Sequence, residues 1–173
     1  VVLFDLDGTL TRPYFDFAAI RREIGLPVEF TTPILESIAL MPPSKQERAR
    51  AILFRHERQA ALNSELWEDS IAVIDSIRAN GLPVGLMTRN SRLSAETVIA
   101  KHRLRFDLIH TREDGPSKPL PDPVLTMCAR FGVSAERAWV VGDYLFDLQC
   151  GNAAGATTVL MIGDADRPDY ADQ

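Results

Sequence analysis

The sequence has little of what several large classes of active site require. It contains only two cysteines and three histidines, and it has no Gly-x-Ser-x-Gly segment. Cys128 and Cys150 lack the spacing of a zinc site, and the histidines show no ligand spacing. The sequence therefore favours neither a zinc centre nor a serine nucleophile triad. We expect both cysteines to be buried free thiols in a reducing compartment, which indicates a cytoplasmic protein.

Long apolar runs and an excess of positive charge are also absent. No run of 18 apolar residues could cross a bilayer. The chain carries 19 Lys and Arg against 24 Asp and Glu, a net charge of −5. This charge disfavours nucleic acid and an anionic membrane as partners, so we expect neither. The length of 173 residues suits one domain, or one domain with an insertion. Since the sequence starts on a strand pattern with no initiator methionine, we expect it to be trimmed at its front.

The first ten residues hold the most informative pattern. Val1 to Phe4 form an unbroken apolar run, as expected for a strand buried on both faces of a parallel sheet. Asp5 and Asp7 follow two residues apart, so in an extended chain their side chains leave the same face. Like charges this close repel unless a cation or a shared proton intervenes, and Mg²⁺ is the obvious candidate. The alternative is a simple turn in which Asp7 bonds only its own backbone.

Helix and strand patterns alternate from residue 69 onward. Strands are predicted at 82–87, 107–110, 138–141 and 157–161, and helices at 69–80, 91–102, from the proline-rich segment 118–123 to about 131, and at 145–154. Such alternation predicts a parallel sheet with right-handed crossovers and helices on both faces. Active residues are then expected at the carboxyl ends of the strands.

Residues 12–67 interrupt this alternation with helical patterns only. We predict helices at 15–24, 32–40 and 44–63, the last opened by a capping box from Ser44 to Glu47. The sequence therefore predicts an α/β core formed by residues 1–11 and 68–173, with a small all-helical unit at 12–67 inserted after the first strand.

Acidic residues return at the end of the strand predicted at 138–141. Asp143 follows that strand directly, and Asp147 stands four residues later in the first turn of the next helix. The positive end of a helix tolerates an acid there, so Asp147 alone also fits a plain helix N-terminal role.

Two further segments could bind an anion. Thr88, Arg89 and Asn90 follow the strand predicted at 82–87, where a hydroxyl and successive backbone N–H groups at a helix start form an anion cradle. Lys118 is a lone cation at a loop-to-helix junction. Taken singly, the first segment is equally a helix cap and the lysine a solvent-exposed cation.

Together these segments resemble, in this order, the four motifs of the haloacid dehalogenase superfamily. The matching segments are Asp5-Leu6-Asp7-Gly8-Thr9, Thr88-Arg89-Asn90, Lys118-Pro119, and Gly142-Asp143 with Asp147. The resemblance covers nearly the whole chain, and the helical insertion is similar to the cap of phosphoglycolate phosphatase-like members. It implies the family's Rossmannoid α/β fold with a helical cap.

The resemblance also implies a role for each residue. Asp5 would be the nucleophile that becomes an aspartyl-phosphate, and Asp7 would protonate the leaving oxygen and later deprotonate water. Mg²⁺ would be held by Asp5, the backbone carbonyl of Asp7 and Asp143, with Asp147 as a further, outer acid. The residues implied to bind the phosphoryl group are Gly8, Thr88, Arg89, Asn90 and Lys118.

The function implied is a Mg²⁺-dependent phosphomonoester hydrolase acting on a small phosphorylated metabolite. Asp7 favours phosphoryl chemistry, because dehalogenase members have no acid at that position and use no Mg²⁺. A phosphohexomutase of the same family and a non-catalytic binding member stay open as alternatives. Tyr144 stands where members often have a small residue, and the insertion is short, so phosphoglycolate is only one candidate substrate.

Overall fold

A five-stranded parallel sheet forms the centre of the structure, a computed structural model that describes residues 1–29 and 32–162. The strands are β1 (Val2–Phe4), β2 (Val84–Met87), β3 (Leu108–His110), β4 (Trp139–Gly142) and β5 (Thr157–Leu160), in the spatial order β3-β2-β1-β4-β5. β1 is central and pairs in parallel with β2 on one side and β4 on the other. The predicted parallel α/β sheet is confirmed.

Seven α-helices are present in the described part of the chain. They are α1 (Phe17–Ile24), α2 (Ile34–Ala39), α3 (Pro43–Asn63), α4 (Ser70–Ala79), α5 (Arg92–His102), α6 (Asp122–Phe131) and α7 (Leu145–Ala154), and a short 3-10 turn covers Ala135–Arg137. Helix and strand ends lie within two residues of those predicted from the sequence. None of the helices in residues 1–29 and 32–162 has the length and apolar character to cross a membrane.

The predicted capping box at the start of α3 is wrong. The helix begins at Pro43, with Pro42 as its N-cap and no side-chain cap hydrogen bond, so Ser44 already lies inside the first turn. Proline suits the first helical position, since its φ is fixed near the helical value and the missing N–H would have no helical partner there. Nε2 of Gln46 instead donates to the carbonyl oxygen of Met41 at 2.8 Å.

The sheet is buried on both faces, as the unbroken apolar run of β1 predicts. Phe4 packs in a cluster with α4 and α5, whereas its neighbour Leu3 packs in a second cluster with α6 and α7. Successive residues of a strand point to opposite faces, so both faces of β1 need apolar side chains.

The inserted helices have an apolar cluster of their own. It joins α1, α2 and the first half of α3 through the buried side chains of Ile20, Ile34, Ile38, Ala49 and Leu53. Ala61, near the other end of α3, packs instead in the cluster under the sheet. The long helix α3 is therefore shared between the inserted unit and the α/β core.

The two chain segments that connect the insertion to the core run side by side. The N–H of Arg12 donates to the carbonyl oxygen of Glu65 at 2.8 Å, and the N–H of Trp67 donates to that of Leu10 at 3.1 Å. The Arg12 guanidinium lies 4.3 Å from the centre of the Trp67 ring. The indole Nε1 of Trp67 also donates to the carbonyl oxygen of Gly8 at 3.1 Å, which ties the end of the insertion to the segment after β1.

Candidate active site

The carboxyl ends of three adjacent strands bring the candidate residues to one edge of the sheet. Asp5 directly follows β1, Thr88 follows β2 and Asp143 follows β4. Because β1 lies between β2 and β4, all three side chains meet at this edge. Lys118 enters the same place from the segment between β3 and α6.

Lys118 is the cation at the centre of this group. Its side chain is only 4% exposed, and Nζ donates to Oδ1 of Asp5 and, at 2.6 Å, to Oδ1 of Asp147. Burial by itself would lower the pKa of Lys118, but the two carboxylates outweigh it and hold that pKa above its ordinary value. The alternative of a solvent-exposed cation is therefore wrong for this lysine.

Asp5 is a buried carboxyl surrounded by other acids. Burial raises its pKa well above the ordinary value, Lys118 opposes this shift, and Asp147, Asp7 and Asp143 add to it. A further positive charge beside Asp5 would favour its ionised form.

Three acids form a group that could hold such a charge. One oxygen from each of Asp5, Asp143 and Asp147 lies within 4.8 Å of the others. Carboxylate oxygens are the ligands that Mg²⁺ prefers, and the three acids together with Lys118 have a net charge of −3 + 1 = −2. The donor set and its charge therefore fit a hard divalent cation.

Each of the two later acids is also fixed by a neighbour. Oγ1 of Thr9 donates to Oδ1 of Asp143 at 3.0 Å. Oδ2 of Asp147 accepts a hydrogen bond from the backbone N–H of Tyr144 at 3.2 Å. Asp147 thus has the helix N-terminal role that the sequence left open and, through its other oxygen, also contacts Lys118.

Gly8 permits the close approach of the segment after β1 to Asp143. Its φ is +88°, which favours glycine, and an added Cβ would lie closest to Oδ2 of Asp143, 2.6 Å from its Cγ and 2.9 Å from its Oδ1. Atoms of real side chains do not come this close, so any other residue here would displace the Asp143 carboxylate.

Asp7 faces the segment after β2. Nδ2 of Asn90 donates to its Oδ2 at 2.6 Å, so the alternative in which Asp7 bonds only its own backbone is wrong. Burial raises the pKa of Asp7 to about 6, against the opposing effect of the Asn90 hydrogen bond. Asp7 therefore binds a proton more readily than an ordinary aspartate.

The segment after β2 has a different partner for each residue. Thr88 is buried, and its Oγ1 accepts from the backbone N–H of Asn90 at 3.1 Å. Nη2 of Arg89 lies 2.5 Å from Oε1 of Glu36 on α2, and its guanidinium lies 4.9 Å from the centre of the Phe146 ring. The side chain of Arg89 thus connects the inserted helices to α7, and its phosphate-binding role stays a prediction.

Sequence reasoning missed Glu57 on α3. This side chain is 4% exposed and forms an ion pair with Nη1 of Arg112, just after β3. Burial raises the pKa of Glu57, which Arg112 opposes. The signal that could have found it is its position four residues after Leu53 and four before Ala61, because an acid on the apolar side of a helix needs a partner.

Comparisons with known proteins agree with this arrangement. The family model described as haloacid dehalogenase-like hydrolase matches residues 18–161. A haloacid dehalogenase-like hydrolase domain-containing protein of Arabidopsis thaliana is 31% identical over 170 residues, which covers 92% of this chain and 69% of that protein. The phosphoglycolate phosphatase of Aquifex aeolicus is 25% identical over 179 residues, or 94% of this chain and 84% of that protein.

A solved structure shares the fold. The crystal structure of a hydrolase from Pseudomonas syringae superimposes with a TM-score of 0.82 at 18% identity, covering 99% of this chain and 88% of that one. The likeness extends over the sheet and the inserted helices together.

Proposed function

Since the chain belongs to the haloacid dehalogenase-like hydrolase family, we propose that it is a Mg²⁺-dependent phosphomonoester hydrolase working through an aspartyl-phosphate. The substrate is a small phosphorylated metabolite. The observation that carries the proposal is the buried Lys118 between Asp5 and Asp147, with Asp143 beside them. A carboxylate next to a buried cation and further acids suits transfer of a charged phosphoryl group. The relative named phosphoglycolate phosphatase supports phosphatase activity.

Asp5 and Asp7 divide the chemistry between them. A carboxylate oxygen of Asp5 attacks phosphorus, the bond from phosphorus to the ester oxygen breaks, and Asp7 gives its proton to that oxygen. Asp7 then takes a proton from water, whose oxygen attacks phosphorus and releases inorganic phosphate from Asp5. The pKa of Asp7, raised to about 6, suits a group that must both give and take a proton near neutral pH.

The remaining residues bind and neutralise the phosphoryl oxygens. Lys118 supplies a positive charge, and Thr88 with the backbone N–H group of Arg89 supplies hydrogen bonds. The N–H of Gly8 donates instead to the carbonyl oxygen of Thr11 at 2.9 Å. Mg²⁺ bound by Asp5, the backbone carbonyl of Asp7 and Asp143 would neutralise more of this charge. Asp147 holds Lys118 in place.

We also propose residues 12–67 as the cap that selects the substrate. Their separate apolar cluster supports this, as does the contact of Glu36 with Arg89 beside the site. The two cysteines are buried and unpaired, which supports a reducing compartment such as the cytoplasm.

The test is phosphate release from a panel of phosphomonoesters, with and without Mg²⁺, by the parent chain and Asp5→Asn. We expect release by the parent only with Mg²⁺, and none by Asp5→Asn, whose circular dichroism should match the parent. Asp75→Asn, an exposed acid on α4, is the matched control and should keep full activity. Parental activity in Asp5→Asn would disprove the mechanism. A mutase would instead convert a sugar phosphate to its isomer, and a binding member would release no phosphate from any ester.

A further inference from the structure

The side chain of Asn90 has a partner that a phosphate-binding role does not explain. Its Nδ2 donates to Oδ2 of Asp7 at 2.6 Å, and the residue is 8% exposed. A carboxyl group rotates about its bond to Cβ, and one short hydrogen bond from a buried donor fixes that rotation. With Oδ2 held by Asn90, Oδ1 of Asp7 is the oxygen left to exchange a proton with the substrate.

The backbone of Asn90 is held at both of its polar groups. Its N–H donates to Oγ1 of Thr88 at 3.1 Å, and its carbonyl oxygen accepts from the N–H of Arg112 at 3.3 Å. Arg112 in turn pairs with the buried Glu57 of α3. A continuous set of contacts therefore runs from α3 through Arg112 and Asn90 to Asp7.

We propose that Asn90 is a positioning residue that aims the carboxyl group of Asp7 at the leaving oxygen, and that Glu57 maintains Asn90 through Arg112. This inference rests on the proposed function. Proton transfer by a placed acid contributes about 10²- to 10⁴-fold to a rate, and it requires hydrogen-bond reach between donor and acceptor. Loss of the Asn90 hydrogen bond should therefore remove part of this factor and leave phosphate binding largely intact.

The test compares phenyl phosphate with para-nitrophenyl phosphate, two aryl esters of similar shape. Their leaving groups differ in how much their departure depends on protonation by an acid. para-Nitrophenolate is a weak base and leaves with little help, whereas phenolate is a stronger base and leaves more readily when protonated. kcat/KM reports the step up to departure of the leaving group. We expect Asn90→Ala to lower kcat/KM for phenyl phosphate about tenfold more than for para-nitrophenyl phosphate, a part of the acid's full contribution.

Two further variants keep the test independent of folding. Asn90→Leu keeps a similar size but removes the donated N–H and adds no charge beside Asp7, so it should change the ratio of the two kcat/KM values in the same direction. Asn63→Ala removes an exposed amide whose Nδ2 donates to the carbonyl oxygen of Gln59, and it should leave the ratio at the parental value. An equal loss on both esters in Asn90→Ala and Asn90→Leu would overturn the positioning role.

The link to α3 is tested with Glu57→Gln. Alone, it should shift the ratio in the same direction as Asn90→Ala but less, because the side chain keeps its shape and loses its charge. In the Asn90→Ala background it should have a smaller effect on the ratio, the part that remains being the direct electrostatic effect of the Glu57 charge on Asp7. A full effect in that background would overturn the link through Asn90. Failure of the proposed function itself is distinct, since the parent chain would then hydrolyse neither ester.

Discussion

Replacement of Gly8 by alanine tests why glycine is needed at this position. Alanine would strain the left-handed backbone conformation, and its Cβ would also displace the Asp143 carboxylate. A Cβ at Gly8 would lie 2.6 Å from Cγ of Asp143, and ordinary contact begins near 3.4 Å. The carboxyl carbon must therefore move by at least 3.4 − 2.6 = 0.8 Å, and Oδ2 of Asp143, the atom nearest to the added Cβ, must move farther. Because this carboxylate is the end of a short side chain, the move costs little stability, but a displacement of about 1 Å can cost about 10²-fold in rate.

Gly155 provides the matched control. Its φ is +81°, close to the +88° of Gly8, but an added Cβ there would meet nothing within 4 Å. Both alanine variants should lose about 1–2 kcal/mol of unfolding free energy through left-handed backbone strain. Only Gly8→Ala should also lose activity, by about 10²-fold at saturating Mg²⁺.

The assays are urea unfolding and phosphate release with the best substrate of the panel. A displaced carboxylate should lower kcat/KM by about 10²-fold. If kcat/KM of Gly8→Ala instead lies within about threefold of that of Gly155→Ala, the claim that the added Cβ displaces Asp143 and so lowers activity is refuted. A much larger stability loss in Gly8→Ala would instead show that the carboxylate cannot move aside.

Two predictions concern buried charge in the protein without Mg²⁺. The pKa of Asp7 is raised from 3.8 to about 6, so the stability it contributes is complete below about pH 3.8 and is lost as the pH rises through about 6. At pH 7 the free energy of unfolding of Asp7→Asn, measured with urea, should therefore exceed that of the parent by up to about 3 kcal/mol. The difference should vanish near pH 3.8. Equal stability at pH 7 would contradict the desolvation of Asp7. Lys118→Met leaves Asp5 and Asp147 buried without their cation and should lose about 3–5 kcal/mol at pH 7. This loss of unfolding free energy should be smaller at acidic pH, where the carboxyl groups of Asp5 and Asp147 are protonated. A loss that does not depend on pH would argue against their charge pairing with Lys118.

The positions of the candidate residues in the fold could be predicted from the sequence because they depend on local pattern. An unbroken apolar run followed by acids predicts a buried parallel strand with those acids at its end, and this holds for β1 and β4. Turn and cap residues also limit helix ends to within two residues. The start of α3 differs because proline outweighs a nearby serine in choosing the first helical position.

The partners of these residues could not be predicted, since they are far apart in the sequence. Asn90 meets Asp7 across 83 positions, and Lys118 meets Asp5 across 113. Which amide or cation faces which acid depends on how helices pack on the sheet, and no local periodicity carries that information. Glu57 is an example: the apolar spacing of α3 could indicate that this side chain is buried, but not that it pairs with Arg112.

The helix α3 spans both parts of the molecule, so a change in its tilt would move the inserted helices relative to the site. From Glu57 back to Pro43 it covers 14 residues, or about 21 Å. A tilt of about 10° about Glu57 would displace Pro43 by about 4 Å, and α1 and α2, which share its apolar cluster, would move with it. Glu36 of α2, which pairs with Arg89 beside the site, would then change its position too. We therefore expect substitutions between Pro43 and Leu53 to alter which esters are accepted, and substitutions at Glu57 to alter how fast they react.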